Sequence, residues 1–327
     1  MGLYFNPQNY DFAKCLRSEI YVDKSGIISY TNKVFNTLQC YICVSRPRRF
    51  GKTITAAMLN AYYNRDYKSE EMFENLKISK DVTFKTHLNK YDVIYLNIQD
   101  FLSESTTVNE MIKNINESIA DDILEIYPKL NKYISKGKYI AALNSLFIIT
   151  KTPITFIIDE WDCVFREYKS DTNAQKVYLD FLRTLLKDKQ YVGLAYMTGI
   201  LPIKKIGSHS ALNMFNEFSM SDPRELAEFV GFTQNEVISL CKRYKMGYEE
   251  ISRWYNGYNF PRVKSIYKND MVTFKTNDDI LTLLIHLGYL GYDLEKKEVF
   301  IPNKEIRDEF VTAIRDTDWN EIINAIQ

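Results

Sequence analysis

Two short groups of residues carry the chemistry open to this chain: Gly51-Lys52-Thr53, and far beyond it Asp159-Glu160. A lysine and a hydroxyl residue directly behind a glycine form a set that grips phosphate. The glycine lets backbone approach an anion, the ammonium reaches the terminal phosphates, and the hydroxyl sits on a divalent cation. Paired carboxylates can supply the rest, one holding the cation and the other polarising a water. A bare Gly-Lys-Thr is a weak signal, and on its plainest reading is only a basic loop capping a helix. The elements that hold it decide its meaning.

Those elements are readable. Tyr41, Ile42, Cys43 and Val44 form a buried strand, and Pro47 ends it by removing a ladder donor. After the loop, Ile54, Ala57, Met58 and Ala61 fall at helical spacing. Strand, loop and helix together aim the first helical N–H groups at an anion, so Arg46, Pro47, Arg48, Arg49, Phe50, Gly51, Lys52 and Thr53 are the candidate cofactor-binding residues. Arg46 stands where G-x-x-x-x-G-K-S/T has its first glycine. The second group ends an apolar strand, Ile154 to Ile158. Thr53 and Asp159 are therefore the candidate Mg2+ ligands, and Glu160 the residue that positions water. A further strand, Val192 to Gly199, delivers Thr198 as a sensor of the γ-phosphate or the water, against the ordinary reading of a structural hydroxyl. Lys52, Glu160, Thr198 and Arg49 make up the candidate catalytic set, with Arg48 or Arg49 neutralising charge in the transition state.

Stepping along the chain, Ser18 to Ser25 reads as a short strand-like piece before a helix through Val34, and Tyr91 to Ile98 as another strand. Amphipathic helices are expected over 107–126, 140–149 and 174–185. Strands alternating with helices predict a parallel sheet shared by the loop strand, the Asp-Glu strand and the Thr198 strand. Beyond Pro202 the pattern changes to a strand at Phe215 to Met220, helices between Pro223 and Tyr244 with Thr233 and Glu236 as a capping box, a leucine-rich helix over 278–290, a hairpin from Gly291 to Pro302, and a last helix from Lys304 to Gln327. Trp254 to Phe260 is aromatic, and a packed hinge suits it better than a base-stacking platform because no basic groove surrounds it.

Composition narrows the function classes. The chain has 327 residues, 46% hydrophobic, enough for one large α/β domain and a smaller one. Its 42 Lys+Arg balance 42 Asp+Glu, so no net field draws it to nucleic acid or membrane. No signal-peptide pattern or membrane-length apolar run is present, and a soluble, cytoplasmic chain is expected. Five cysteines are an odd number, and Cys40 and Cys43, though spaced C-x-x-C, flank a strand without completing a zinc set. Reduced core thiols are expected.

The motifs carry a resemblance. Ser45 to Thr53 (SRPRRFGKT), Ile158 to Asp162 (IDEWD) and Tyr255 to Phe260 (YNGYNF) resemble the hallmarks of the bacterial AAA-ATPase-like proteins. Tyr21 to Ser25, Thr198 to Ile200 and Leu283 to Leu290 agree as well, so the resemblance spans almost the whole sequence. It implies that Arg46 at the first loop position is the rule, and that Asp162 belongs to the site behind the metal-binding carboxylate. Family members usually have a longer stretch than the one from Phe260 to Asp278, and often continue into a nuclease-like domain of the PD-(D/E)xK kind. The sequence ends at Gln327, and Glu295-Lys296-Lys297 lies in a charged turn with no acidic strand before it, so nuclease chemistry is not carried over.

The expected fold is therefore α/β, a P-loop NTPase parallel sheet flanked by helices (1–205) with a smaller, mostly helical C-terminal region (206–327). The expected function is a Mg2+-dependent ATPase whose ATP binding and hydrolysis move that C-terminal region. The alternatives are a catalytically weak, nucleotide-dependent interaction module or a nucleic-acid adaptor. ATP and Mg2+ are the cofactors, with an unidentified protein partner and self-association as further expectations. Nucleic acid is not indicated, nor is a membrane.

Overall fold

Ile154–Asp159 and Val192–Gly199 are buried at every position, as strands must be when helices cover both faces of a parallel sheet. They are β3 and β4 of a five-stranded sheet with β1 (Tyr41–Ser45), β2 (Asp92–Asn97) and β5 (Asn216–Phe218), in the order β2-β3-β4-β1-β5. The pairs β2/β3, β3/β4 and β1/β5 are parallel. The fold is α/β, with a parallel sheet flanked by helices. Its register aligns Asn97 with Asp159 and Asp159 with Thr198, so three strands end on one line. In an open parallel sheet that carboxyl edge is where ligands bind.

The computed structural model describes residues 2–203, 211–220, 222–255, 263–264, 277–293, 296–302 and 306–307. The chain divides into two compact units: Met1–Val44, Gly51–Gly199 and Ser208–Phe218 in the first, and Ser45–Phe50, Ile200–Gly207 and Ser219–Gln327 in the second.

In the first unit the loop helix Lys52–Tyr63 is buried along most of its length, with only Thr53 and Ile54 exposed at its head. Tyr62 and Tyr63 at its far end bond the helix Gly26–Val34 through Asn32 and Thr31. The chain start is strapped to the sheet: Phe5 bridges Ile94, the Asn6 amide donates to Asp92 at 2.9 Å, and Asp122 accepts the N–H groups of Tyr4 and Phe5. Asp92 is buried beside Arg65, and burial raises its pKa while Asn6 and Arg65 oppose the rise.

The strand-like reading of Ser18 to Ser25 is corrected. This stretch is irregular, and side chains take up the bonding a ladder would have supplied. Asp23 accepts the N–H groups of Ser25 and Lys77, and the Ser25 hydroxyl accepts that of Ile78. The segment is fixed as an Asx-type corner rather than by alternation.

In the second unit, Thr233 and Glu236 form the reciprocal capping box that opens the helix Gln234–Tyr244. A three-stranded sheet, β6 (Val263–Lys264), β8 (Glu298–Phe300) and β7 (Gly291–Asp293), contains the expected hairpin as the antiparallel pair β7/β8. Leu281, Leu284 and Ile285 of the helix Asn277–Leu287 pack with Leu290 and Val299 as its core. The loop residues Ser45 to Phe50 belong to this unit: the Phe50 ring lies on Gly231 and Pro47 on Gly288. Gly288 has φ +87, and a Cβ there would come within 2.7 Å of Pro47 Cβ, so only glycine fits without strain. The Asn256 to Phe260 part of the aromatic motif, the link to Asp278, and most of the expected last helix lie outside the described residues.

Candidate functional site

Gly51 takes φ +79 and stands at the N-cap of the loop helix without a side-chain cap, so the chain turns sharply into the helix. Arg49, two residues earlier, is also left-handed at φ +67. Lys52 follows with its side chain 5% exposed. Burial lowers its pKa, and the carboxylates of Glu160, Asp159 and Asp162 oppose the fall. Arg166, paired with two of these acids, adds to the lowering.

The Thr53 hydroxyl donates to Asp159 Oδ2 at 2.7 Å, which brings together the two groups expected to face a cation from distant parts of the sequence. Asp159 is 1% exposed at the end of β3, and its other oxygen accepts the Glu160 N–H at 2.9 Å. Burial raises the Asp159 pKa against the lowering effect of those bonds. A hydroxyl and a carboxylate are hard oxygen donors. They suit Mg2+, which prefers one or two protein ligands completed by phosphate oxygens and waters. Among the described residues no group of three or more His, Cys, Asp or Glu is arranged to hold a metal ion.

Glu160 sits one residue past β3 at φ +52, a left-handed turn that few non-glycine residues adopt. Such outliers persist where the surroundings fix them, often at functional sites. Burial raises its pKa, and Arg166 is the main opposing influence. Arg166 lies in the helix Cys163–Glu167 and bonds Glu160 Oε2 through Nη2 at 2.5 Å, while its Nε makes an ionic contact with Asp162 Oδ2 at 3.2 Å. Sequence reading passed over Arg166. Its spacing of four from Asp162, one helical turn, was the available signal.

The turn itself is held from below. Trp161 is fully buried, its backbone N–H donates to Thr198 O, and its carbonyl accepts the Tyr178 hydroxyl at 2.8 Å. Phe165 packs on the indole at 5.6 Å between ring centres. Gln99, in the short helix after β2, donates to Glu167 at 2.7 Å. The Asp-Glu turn is thus tied to β4, to the helix Thr172–Leu186 and to the β2 exit.

The remaining expected residues are placed as follows. Thr198 lies beside Asp159 in register, but its hydroxyl donates to Val44 O at 3.1 Å and ties β4 to β1. Arg46 is 2% exposed and turns back to donate to Ser45 O at 2.9 Å, and Pro47 is also buried. Arg48 and Arg49 are exposed, and Phe50 is half-buried.

Two solved structures align with the chain at a distance. The structure of C. elegans PCH-2 is 15% identical, with 88% of this chain and 63% of that chain covered and a TM-score of 0.33. The Aeropyrum pernix ORC2 protein, in ADPNP-ADP complexes, is 11% identical, with 70% and 54% covered and a TM-score of 0.31. The chain thus spans less than two thirds of either, and both likenesses are too remote to bear on its fold or function. None of the curated proteins matches it. A family model does: the AAA-ATPase-like model, described as predicted AAA-ATPase, matches residues 10–208, a span that holds the loop, the Asp-Glu turn and Thr198. With more than half of its length under that model, the chain belongs to the AAA-ATPase-like family.

Proposed function

We propose that this chain binds ATP with Mg2+ at the head of the loop helix and hydrolyses it slowly. The observation that carries this is the Thr53 hydroxyl seated on Asp159 beside the buried Lys52, at a helix N-terminus. Lys52 and the first helical N–H groups take the phosphates, whose negative charge meets the lysine and the positive end of the helix. Thr53 and Asp159 would hold Mg2+, which when bound neutralises charge on the bridging phosphate oxygens. Glu160 orients the attacking water and draws its proton. The exposed Arg49, with Arg48 beside it, supplies positive charge for the transition state, within one chain or between copies.

The experiment is calorimetric titration of ATP with Mg2+ into wild type and Lys52→Ala. The variant is expected to lose about 100-fold or more in affinity, because the anion's charge-assisted contacts go with the ammonium. Equal affinity in the two proteins sinks the assignment.

Coupling to the C-terminal region is supported by the membership of Ser45 to Phe50 in the second unit, since residues adjoining Lys52 in the chain rest on Gly231 and Gly288. An added methyl at Gly288 displaces Pro47, so Gly288→Ala is expected to weaken ATP binding several-fold, roughly 1 kcal/mol. Unchanged ATP affinity in a folded Gly288→Ala protein removes the coupling. A second reading, a nucleotide-dependent interaction module with little turnover, is favoured by one observation: one oxygen of Glu160 is held by Arg166.

A further inference from the structure

To position water the Glu160 carboxylate must be able to turn, yet its Oε2 is held in a charge-assisted bond to Arg166 Nη2 at 2.5 Å. A carboxylate oxygen so paired is directed at the guanidinium and not at a water. The guanidinium is no loosely swinging group. Asp162 is fully buried and holds it at 3.2 Å from the preceding helical turn, Arg166 is only 16% exposed, and Glu160 is 25% exposed. One acid bonds its Nη2 and the other makes an ionic contact with its Nε.

The bond also accounts for the backbone of the turn. Glu160 holds φ +52 and donates its N–H to Asp159, a conformation that needs outside support. Arg166 reaches back six residues to supply it. Its neighbour Glu167 is gripped by Gln99 at 2.7 Å, so the short helix that carries Arg166 is connected to the exit of β2, whose last residue pairs with Asp159. A displacement of the β2 exit would therefore be felt at the guanidinium.

Resting on the ATPase reading above, we propose that Arg166 is a latch. Anchored on Asp162, it holds Glu160 away from the water-positioning role and keeps basal hydrolysis low until the helix Cys163–Glu167 shifts. Arg166 is thus a positioning residue that acts through Glu160 and leaves nucleotide binding to Lys52. In this form the slow enzyme and the weakly active interaction module are the open and latched states of one site.

The test compares Arg166→Gln and Arg166→Lys with wild type in steady-state phosphate release, with ATP affinity by calorimetry and a thermal melt on each protein. Arg166→Gln is expected to raise kcat by about tenfold, a part of the 10²–10⁴ that a positioned general base provides, with ATP affinity within about twofold. Arg166→Lys keeps a positive charge beside Asp162 but makes fewer directed contacts, and its kcat is expected to lie between the other two. Measured against Glu160→Gln, the double variant Arg166→Gln/Glu160→Gln is expected to show no gain in kcat, whereas an effect of Arg166 that does not pass through Glu160 would persist. A lower or unchanged kcat in both single variants overturns the latch, as does ATP binding without hydrolysis in all three proteins. Failure of the underlying reading looks different: ATP affinity indifferent to Lys52→Ala removes the nucleotide site, whatever Arg166 does.

Discussion

Glu160→Gln is expected to lower kcat for ATP hydrolysis by about 10²–10³-fold, or about 2.7–4 kcal/mol of barrier, while ATP still binds. The amide has the size of the carboxylate and can fill the same turn, but it cannot take a proton from water. Binding is expected to be equal or tighter. Glu160 is the carboxylate with the largest influence on Lys52, and removing its charge takes away a group that repels phosphate. Rapid measurement of phosphate release, paired with calorimetry, separates the effects. A fall in affinity with kcat unchanged would make Glu160 a structural support of the loop rather than the water-positioning acid.

The sheet and the candidate site were legible for the same physical reason. A strand covered on both faces needs an unbroken apolar run, and Ile154 to Ile158 is one, so the two acids after it could only lie at a strand end. The helix after Thr53 likewise announced itself by apolar spacing, and its N-terminus by Gly51. What brings Thr53 onto Asp159 is long-range packing, yet the residue types at each end were enough to pair them. The capping box at Thr233 was equally readable, because both of its bonds are local.

Features that depend on side-chain direction were less accessible. A sequence with three arginines in a loop suggests three exposed charges, but Arg46 is buried and bonds the carbonyl beside it, and the segment holding it packs with the second unit. Nothing in local spacing marks that. Thr198 was expected at a strand end and the register sets it beside Asp159, whereas the direction of its hydroxyl, toward Val44, follows from the neighbouring strand being β1. Tyr21 and Val22 suggested a strand, and Asp23 and Ser25 decided against it by bonding Lys77 and Ile78 across a gap in sequence that no periodicity covers. Arg166 sits among residues that form no motif, although its helical spacing from Asp162 was there to be read.

Trp161→Ala is expected to have the largest effect on stability, about 3–5 kcal/mol, because the indole is fully buried and its removal leaves a cavity under the Asp-Glu turn. The surroundings cannot collapse into that space easily. Gly199 lies so close that a Cβ there would meet Trp161 Cδ1 at 2.7 Å, and Phe165 packs against the other parts of the ring. Trp161→Phe separates volume from hydrogen bonding. The indole Nε1 is buried without a hydrogen-bond partner among the described residues, so replacing it by a carbon edge removes an unsatisfied donor, whose burial costs about 1–3 kcal/mol. That gain offsets much of the lost ring volume, and Trp161→Phe is expected to stay within about 1.5 kcal/mol of wild type. Urea midpoints at constant slope measure both. The turn connects this stability to chemistry, since the Trp161 carbonyl is held by Tyr178 and Glu160 and Asp162 flank it in the chain. Trp161→Phe should therefore keep ATP hydrolysis, while Trp161→Ala should lose it even at temperatures where the protein remains folded. Equal midpoints for the two variants would mean that the indole bears no part of the turn, and that Glu160 is held by Arg166 alone.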